Sequence, residues 1–417
     1  MPLFSVLIPT RNRADLLKYA MQSVLSQNFD NYELIVSDNA SSDNTREVVE
    51  SFNDSRVRYI NPWRYLLSTD NWDFAYKQAT GDYILALGDD DYLVSGALKQ
   101  VRKVIQEKSA LMISWGLITY YDGTYNDVSL QNTINARKFT GKIIEVDTKK
   151  VLKAYFDLDP LATIYPPHPS CVCISRRIAD EISSKYGAFY AHPYADITAI
   201  SRSLGYINLL IVIDKPLTIV GRTSRSMVTN FRWKIDDARK EHECGVLMAM
   251  FKGKYTYNLH TESLLRVKHS DPERFKDYDI HLERYCCHYY QDMLNASKTG
   301  IDTSADLKEF FRNYQTLPYN VQQNIRRYIQ KARIKDFLRI SPLWNIAAVR
   351  MLITVLKSML NSIFKKGNTV FIRGDSVDIH NIAECAEKLE DIKTKFNLIN
   401  NNQCIQNKKK IGRKEMK

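Results

Sequence analysis

Near its start the chain twice runs from a short apolar, β-rich stretch through a polar loop into apolar positions at helical spacing, and no other feature restricts its fold as much. Phe4-Ser5-Val6-Leu7-Ile8 leads through Pro9-Thr10-Arg11-Asn12-Arg13 to Leu16, Leu17, Ala20, Val24 and Leu25. Tyr32-Glu33-Leu34-Ile35-Val36-Ser37 leads through the loop from Asp38 to Ser42 to a second helical stretch, where Asn44 with Glu47 reads as a cap. Strand–loop–helix units of this kind bury their faces as a parallel sheet flanked by helices, and such sheets bind ligands at the carboxyl ends of their strands. Further strands are predicted at Arg56 to Ile60, Tyr83 to Leu87, Ala110 to Ser114 and Ile207 to Ile213, with helices from Trp72 to Ala79 and Ser95 to Glu107.

The carboxyl ends of these strands are therefore the first places to look for chemistry. The run Tyr83-Ile84-Leu85-Ala86-Leu87-Gly88 opens directly into Asp89-Asp90-Asp91. Three adjacent carboxylates at a sheet end repel one another unless a cation compensates them. Mg²⁺ or Mn²⁺ fits, because these hard ions take one or two carboxylates together with substrate phosphates. The competing reading is a solvated acidic turn that caps the helix from Ser95. Asp38, at the end of the second strand, is placed to accept a hydrogen bond from a base or ribose, or else to form an Asx turn. Pro9, Thr10, Arg11 and Arg13 end the first strand, where arginine forks and the next helix N-terminus suit phosphate oxygens, or where they form a solvated basic turn.

A chain of 417 residues with 44% hydrophobic content, 25 Tyr and 5 Trp has the means to fold as two or three units. Its seven cysteines include no C-x-x-C pair and read as reduced thiols. The N-terminus lacks the basic and apolar regions of a secretory signal, so a cytoplasmic location is expected. The net charge of +12 is unevenly spread: residues 1–115 hold 12 Lys and Arg against 15 Asp and Glu, and residues 312–373 hold 12 against the single acid Asp336. A partner with a negative surface follows, either a membrane or a nucleic acid.

The ordered triplet Val6 to Arg13, Glu33 to Asn44 and Gly81 to Tyr92 resembles the inverting family 2 glycosyltransferases of GT-A fold. The resemblance covers residues 3 to 115 well, thins out to about 225 and is not specific beyond. It implies a Rossmann-like, mainly parallel sheet flanked by helices, and a nucleoside-diphosphate sugar, UDP-linked, across the strand ends. Pro9, Thr10 and Asp38 would lie near the nucleotide, with Arg11 and Asp90 alongside. Asp89 and Asp91 would be the D-x-D pair that meets ribose and metal. Many relatives carry a further acid where this chain has Gly88, so the pair can equally be Asp90 with Asp91; Asp91 is common to both. In the family the general base is usually an Asp before a later helix, which here points to Asp196 in Pro193-Tyr194-Ala195-Asp196-Ile197. A plain helix N-terminal carboxylate is the other reading. His168 and His192 compete as base or ligand, and Arg222 and Arg225 could stabilise the leaving diphosphate.

The expected organisation is a glycosyltransferase domain over 1–230, with a donor half over 1–115 and an acceptor-side half over 116–230. A mostly helical basic extension over 231–399 and a Lys-rich tail over 400–417 follow. From Leu343 to Phe364, Arg350, Thr354, Lys357, Ser358 and Asn361 share one helical face and apolar residues take the other. That pattern suits an amphipathic helix better than a membrane span. Its basic flanks fit an anionic bilayer, and packing on the catalytic domain is the alternative. No nucleic-acid-binding module is recognised among the basic residues. The expected enzyme moves a sugar to a hydroxyl of a glycan or lipid-linked acceptor, with the protein peripheral on the inner face of the cytoplasmic membrane. A sugar-phosphate nucleotidyltransferase is the rival enzyme, but the loop after the first strand lacks the glycines it needs. A non-catalytic membrane-surface protein is the rival of another class.

Overall fold

The structure is a computed structural model, and it describes residues 2–159, 166, 168–226, 246–298, 300–340, 369–373, 379–389 and 392. The proposed amphipathic segment from Leu343 to Phe364, and the tail, lie outside these residues.

The chain opens as β1 (Phe4–Thr10), α1 (Ala14–Leu25), β2 (Tyr32–Asp38), α2 (Thr45–Ser51), β3 (Val57–Ile60), α3 (Ser68–Lys77) and β4 (Tyr83–Ala86). β1 pairs in parallel with β2 and with β4, and β2 with β3, giving the order β3-β2-β1-β4 that the alternation of strand and helix requires. Val6, Ile8, Leu34, Val36 and Leu85 are buried on one face under α1, while Leu7 and Ile35 belong to the cluster on the other. Burial on both faces explains why these strands read as apolar runs without alternation. Each fully buried Leu or Ile contributes about 1.5–3 kcal/mol.

Beyond β4 the sheet is mixed. β5 (Tyr92–Leu93), α4 (Ala97–Lys108), β6 (Met112–Tyr121), β7 (Thr133–Arg137), β8 (Ile143–Asp147), α5 (Thr148–Phe156), β9 (Val172–Ser175), α6 (Arg176–Tyr186), α7 (Ala195–Tyr206) and β10 (Leu209–Arg222) follow. β9 inserts antiparallel between β4 and β6. β10 runs parallel to β6 and antiparallel to β5 and β8. The second half thus completes the sheet, and the strand expected to end at Ile213 continues to Arg222.

The helices α8 (Thr256–Ser270), α9 (Leu282–Lys298), α10 (Ser304–Tyr314) and α11 (Tyr319–Ile340) come next, with α8 packed on α7 and α9. Phe251, Tyr285, Tyr289 and Phe310 form their aromatic core, and this core is continuous with one face of the sheet. The helical region then gives one strand back: β11 (Thr369–Arg373) pairs antiparallel with β7, and α12 (Ile382–Glu387) packs near β5 and β10. Ile372, Ile379, Ala383 and Cys385 share a cluster with Tyr92 and Ile219. No helix among the described residues is long and apolar enough to cross a membrane.

One local expectation changes. Asn44 stands before α2, but its side chain makes no capping bond. Asp43 takes the role, accepting from the backbone N–H of Thr45 at 3.1 Å and, with its other oxygen, from that of Ala14 at 3.0 Å. One carboxylate thereby ties the starts of α1 and α2 together.

Candidate active site

At the carboxyl ends of β1 and β4 lies a cavity of about 600 Å³, open to solvent, where the chain brings together Pro9 to Arg13, Gly88 to Asp91, Ser170, Asp196 and Arg222. Of the residues predicted from sequence, Pro9, Thr10, Arg11, Asp89, Asp90, Asp91 and Asp196 line it. Asp38 does not. It ends β2 beside Thr10, and its buried carboxylate accepts from Ser41 N–H at 3.0 Å, Tyr59 O–H at 2.6 Å and Asn61 Nδ2–H at 3.2 Å. The bond from Ser41 is an Asx-type turn, and the neighbouring Asn39 lines the cavity instead.

The three consecutive aspartates occupy three different environments. Asp89 is buried and accepts from Thr10 Oγ1–H at 2.7 Å and Arg13 Nη1–H at 2.8 Å. Burial still outweighs the Arg13 charge, so its carboxyl lies above the usual carboxylate range. Asp91, only 1% exposed, accepts from the Ser170 hydroxyl and, at 3.0 Å, from Gly221 N–H. Burial and then the neighbouring Asp90 push it up to about 7, against Ser170, Arg222 and Gly221. Asp90 is half-buried; its Oδ2 accepts from Ser226 Oγ–H, and its Oδ1 has no partner among the described residues.

Two glycines make this turn possible. A Cβ on Gly221 would stand 1.9 Å from the Asp90 carbonyl oxygen, and one on Gly88 would stand 2.8 Å from Asp91 Oδ2. The acid missing at position 88 therefore leaves the space into which the Asp91 carboxylate folds.

A hard divalent ion suits this donor set. Asp90 offers an open oxygen, and Asp91, raised first by burial and then by the Asp90 charge, is its neighbour in the turn. Asp89 already has the Arg13 guanidinium. Among the described residues no group of three or more His, Cys, Asp or Glu is placed to hold an ion. Mg²⁺ or Mn²⁺ held by one or two carboxylates completes its shell with water and substrate phosphates.

Asp196, also lining the cavity, sits in the first turn of α7, its carboxylate receiving the backbone N–H groups of Ile197 and of Asp196 itself. Burial prevails over these bonds and raises its pKa. His168 lines the cavity with Nδ1 3.6 Å from Asp91 Oδ2, and burial with the Arg222 charge holds it well below the ordinary histidine value, in the neutral form. His192 instead turns to Asp70, 2.8 Å from its Nε2, and is not part of the cavity wall. Arg222 lines the cavity and its charge reaches Asp91. Arg225 also lines it, ion-paired to Asp15. The sequence reading missed Ser170, Ser226, Trp72, Thr256 and His260, which the fold also brings to this wall. Single hydroxyls, an aromatic and a lone histidine carry no motif that would have flagged them.

Parts of the chain are similar to known proteins. Residues 5–162 match the family described as Glycosyl transferase family 2. The chain is 33% identical over 153 residues to a GalNAc(5)-diNAcBac-PP-undecaprenol beta-1,3-glucosyltransferase of Campylobacter jejuni, covering 36% of this chain and 46% of that protein. It is 32% identical over 111 residues to the UDP-Glc:alpha-D-GlcNAc-diphosphoundecaprenol beta-1,3-glucosyltransferase WfgD of Escherichia coli, covering 26% and 44%. The match thus spans just under half the length of each. A crystal structure of S. aureus TarS 1-349 in complex with UDP-GlcNAc superposes with a TM-score of 0.49 at 15% identity, covering 77% of this chain and 83% of that one.

Proposed function

We propose that this chain, whose residues 5–162 match the family described as Glycosyl transferase family 2, moves a sugar from a nucleoside-diphosphate sugar to a hydroxyl of a lipid-linked or glycan acceptor, with inversion. The observation that carries the reading is the shared cavity, which Asp196, the Asp89-Asp90-Asp91 turn and Arg222 all line.

In this reading Pro9 to Arg13 and Asn39 line the nucleotide side. Asp90 and Asp91 would hold a Mg²⁺ or Mn²⁺ ion, which when bound neutralises charge on the donor's diphosphate. Asp89, tied to Thr10 and Arg13, fixes the two loops relative to each other. Asp196 accepts the proton of the acceptor hydroxyl as its oxygen attacks the anomeric carbon. The bond from that carbon to the diphosphate oxygen breaks, and its electron pair leaves with the nucleoside diphosphate beside Arg222. A raised pKa suits this work, because a base poised nearer the working pH holds its proton better in the transition state.

The relatives named above act, by their names, on undecaprenol-linked sugars, which supports a lipid-linked acceptor here. The basic segment over 312–373 fits the anionic surface such an acceptor would occupy, so we place the protein peripherally on the membrane. A screen of UDP-, GDP- and dTDP-sugars for hydrolysis and binding, with Mg²⁺ and with Mn²⁺, tests the proposal. No binding of any nucleotide sugar by the folded protein would reject it.

A further inference from the structure

Asp91 is held by two segments far from it in sequence, and both lie beyond the family-matched residues 5–162. Ser170 donates its hydroxyl to Asp91 Oδ2 across 79 residues, and Gly221 donates its backbone N–H to Oδ1 at 3.0 Å across 130. A carboxylate has about four lone-pair sites, so each oxygen keeps room for another partner while the plane of the group is fixed from both ends.

The Ser170 hydroxyl does a second thing. Its oxygen accepts from Gly88 N–H at 3.0 Å, so one side chain grips both ends of the turn from Gly88 to Asp91 and leaves Asp90, with its open Oδ1, in the middle. Ser170 is fully buried and held in turn by its own neighbours. It lies in a short 3₁₀ turn, Pro169–Cys171, ahead of β9, and its backbone N–H meets His168 Nδ1 at 3.3 Å. Its carbonyl accepts from Thr218 Oγ1–H at 2.8 Å, and Thr218 accepts at 2.8 Å from Nε1–H of buried Trp115. His168 Nδ1 lies 3.6 Å from Asp91 Oδ2, but as the acceptor for Ser170 N–H it has no proton to give the carboxylate. The hydroxyl of Ser170 therefore sets the orientation of Asp91 Oδ2.

Resting on the glycosyltransferase reading and its divalent ion, we infer that Ser170 is a positioning residue for that ion. Its hydroxyl closes the turn and holds the Asp91 carboxylate in the orientation in which Asp91 and Asp90 together take the metal. Ser170 acts through Asp91, so its loss weakens the metal and leaves the nucleotide side of the cavity unchanged.

UDP is titrated into the full-length protein with and without Mn²⁺, and the electron paramagnetic resonance spectrum of Mn²⁺ bound together with UDP is recorded. Mn²⁺ should raise the UDP affinity of the unaltered protein. Ser170→Ala should cut that gain by about tenfold or abolish it, the lower end of the usual loss when a group that orients a metal ligand is removed. Affinity for UDP without metal should stay the same, and the zero-field splitting of the bound Mn²⁺ should change. Ser170→Cys fills nearly the same space with a weak donor and should act alike, which keeps the test open if the alanine variant does not fold. An undiminished gain in a folded variant, or an equal fall in affinity with and without Mn²⁺, overturns this inference alone. UDP binding by the unaltered protein with no gain from Mn²⁺ would remove the metal reading and this inference with it, and no UDP binding would remove the glycosyltransferase reading itself.

Discussion

Arg13 donates to Asp89 across 76 residues of sequence, Nη1 to Oδ1 at 2.8 Å, and so joins the loop after β1 to the acidic turn after β4. Removing one partner of a mostly buried pair leaves the other charge uncompensated. Arg13→Met should therefore destabilise the protein by about 1–3 kcal/mol, a figure reduced for the partial exposure of Arg13. The double change Arg13→Met with Asp89→Asn should recover part of that loss. Urea unfolding of the four proteins in a double-mutant cycle measures it, and strictly additive effects would show that the pair is not coupled.

Asp91→Asn keeps the shape of the side chain and removes the charge proposed to hold the ion. The metal-dependent part of UDP-sugar affinity should disappear, while the metal-independent part remains. Calorimetric titration with and without Mn²⁺ separates the two, and an undiminished response to Mn²⁺ would exclude Asp91 as a ligand. Asp90→Asn should behave alike, since Asp90 Oδ1 is the open carboxylate oxygen of the turn.

Asp196→Asn should bind nucleotide sugar normally and lower transfer by on the order of 10²–10⁴, the usual loss for a general base. In the unaltered protein the base must be ionised to act, and its folded pKa is raised by burial. Transfer should thus fall with decreasing pH in a limb lying above the ordinary carboxylate range, and the limb should be absent from the residual rate of Asp196→Asn. Near-normal transfer by the folded variant would leave Asp196 as a helix-terminal carboxylate.

The folded pKa of His260 is lowered to about 4 from an ordinary value of 6.5, so the folded state binds fewer protons than the unfolded chain between these values. Its contribution to stability is complete above about pH 6.5 and is lost as pH falls towards 4. His260→Gln should flatten that part of the stability profile. An unchanged slope in chemical unfolding between pH 4 and 6.5 would assign the dependence elsewhere, with His288, also lowered by burial, the first alternative.

Truncation after residue 340 removes β11 and α12, which pair with β7 and share a cluster with Tyr92 next to Asp91. It should lower the melting temperature and with it nucleotide affinity. Replacing residues 343–364 by a short Gly-Ser linker keeps those elements and should leave donor hydrolysis intact while releasing the protein from anionic liposomes. Retained binding to the liposomes would remove the membrane role of this segment.

The sequence by itself determined the N-terminal strands, the helices between them and the acidic turn at a strand end. Those features are local: Val6 to Ile8 and Ile35 to Val36 are apolar because both faces of the strand are covered, and the run into Asp89 is visible wherever the chain goes. It could not tell Asp89, Asp90 and Asp91 apart, since three identical side chains differ only through Arg13, Ser226 and Ser170, which come from distant segments. Asp38 looked like a cavity residue because it ends a strand, yet Tyr59 and Asn61 claim its carboxylate. The return of β11 to the sheet and the arrival of His260 in the cavity wall were decided only by tertiary structure. Strand pairing and cavity walls are made by contacts between residues far apart in sequence, and no periodicity or short motif records them.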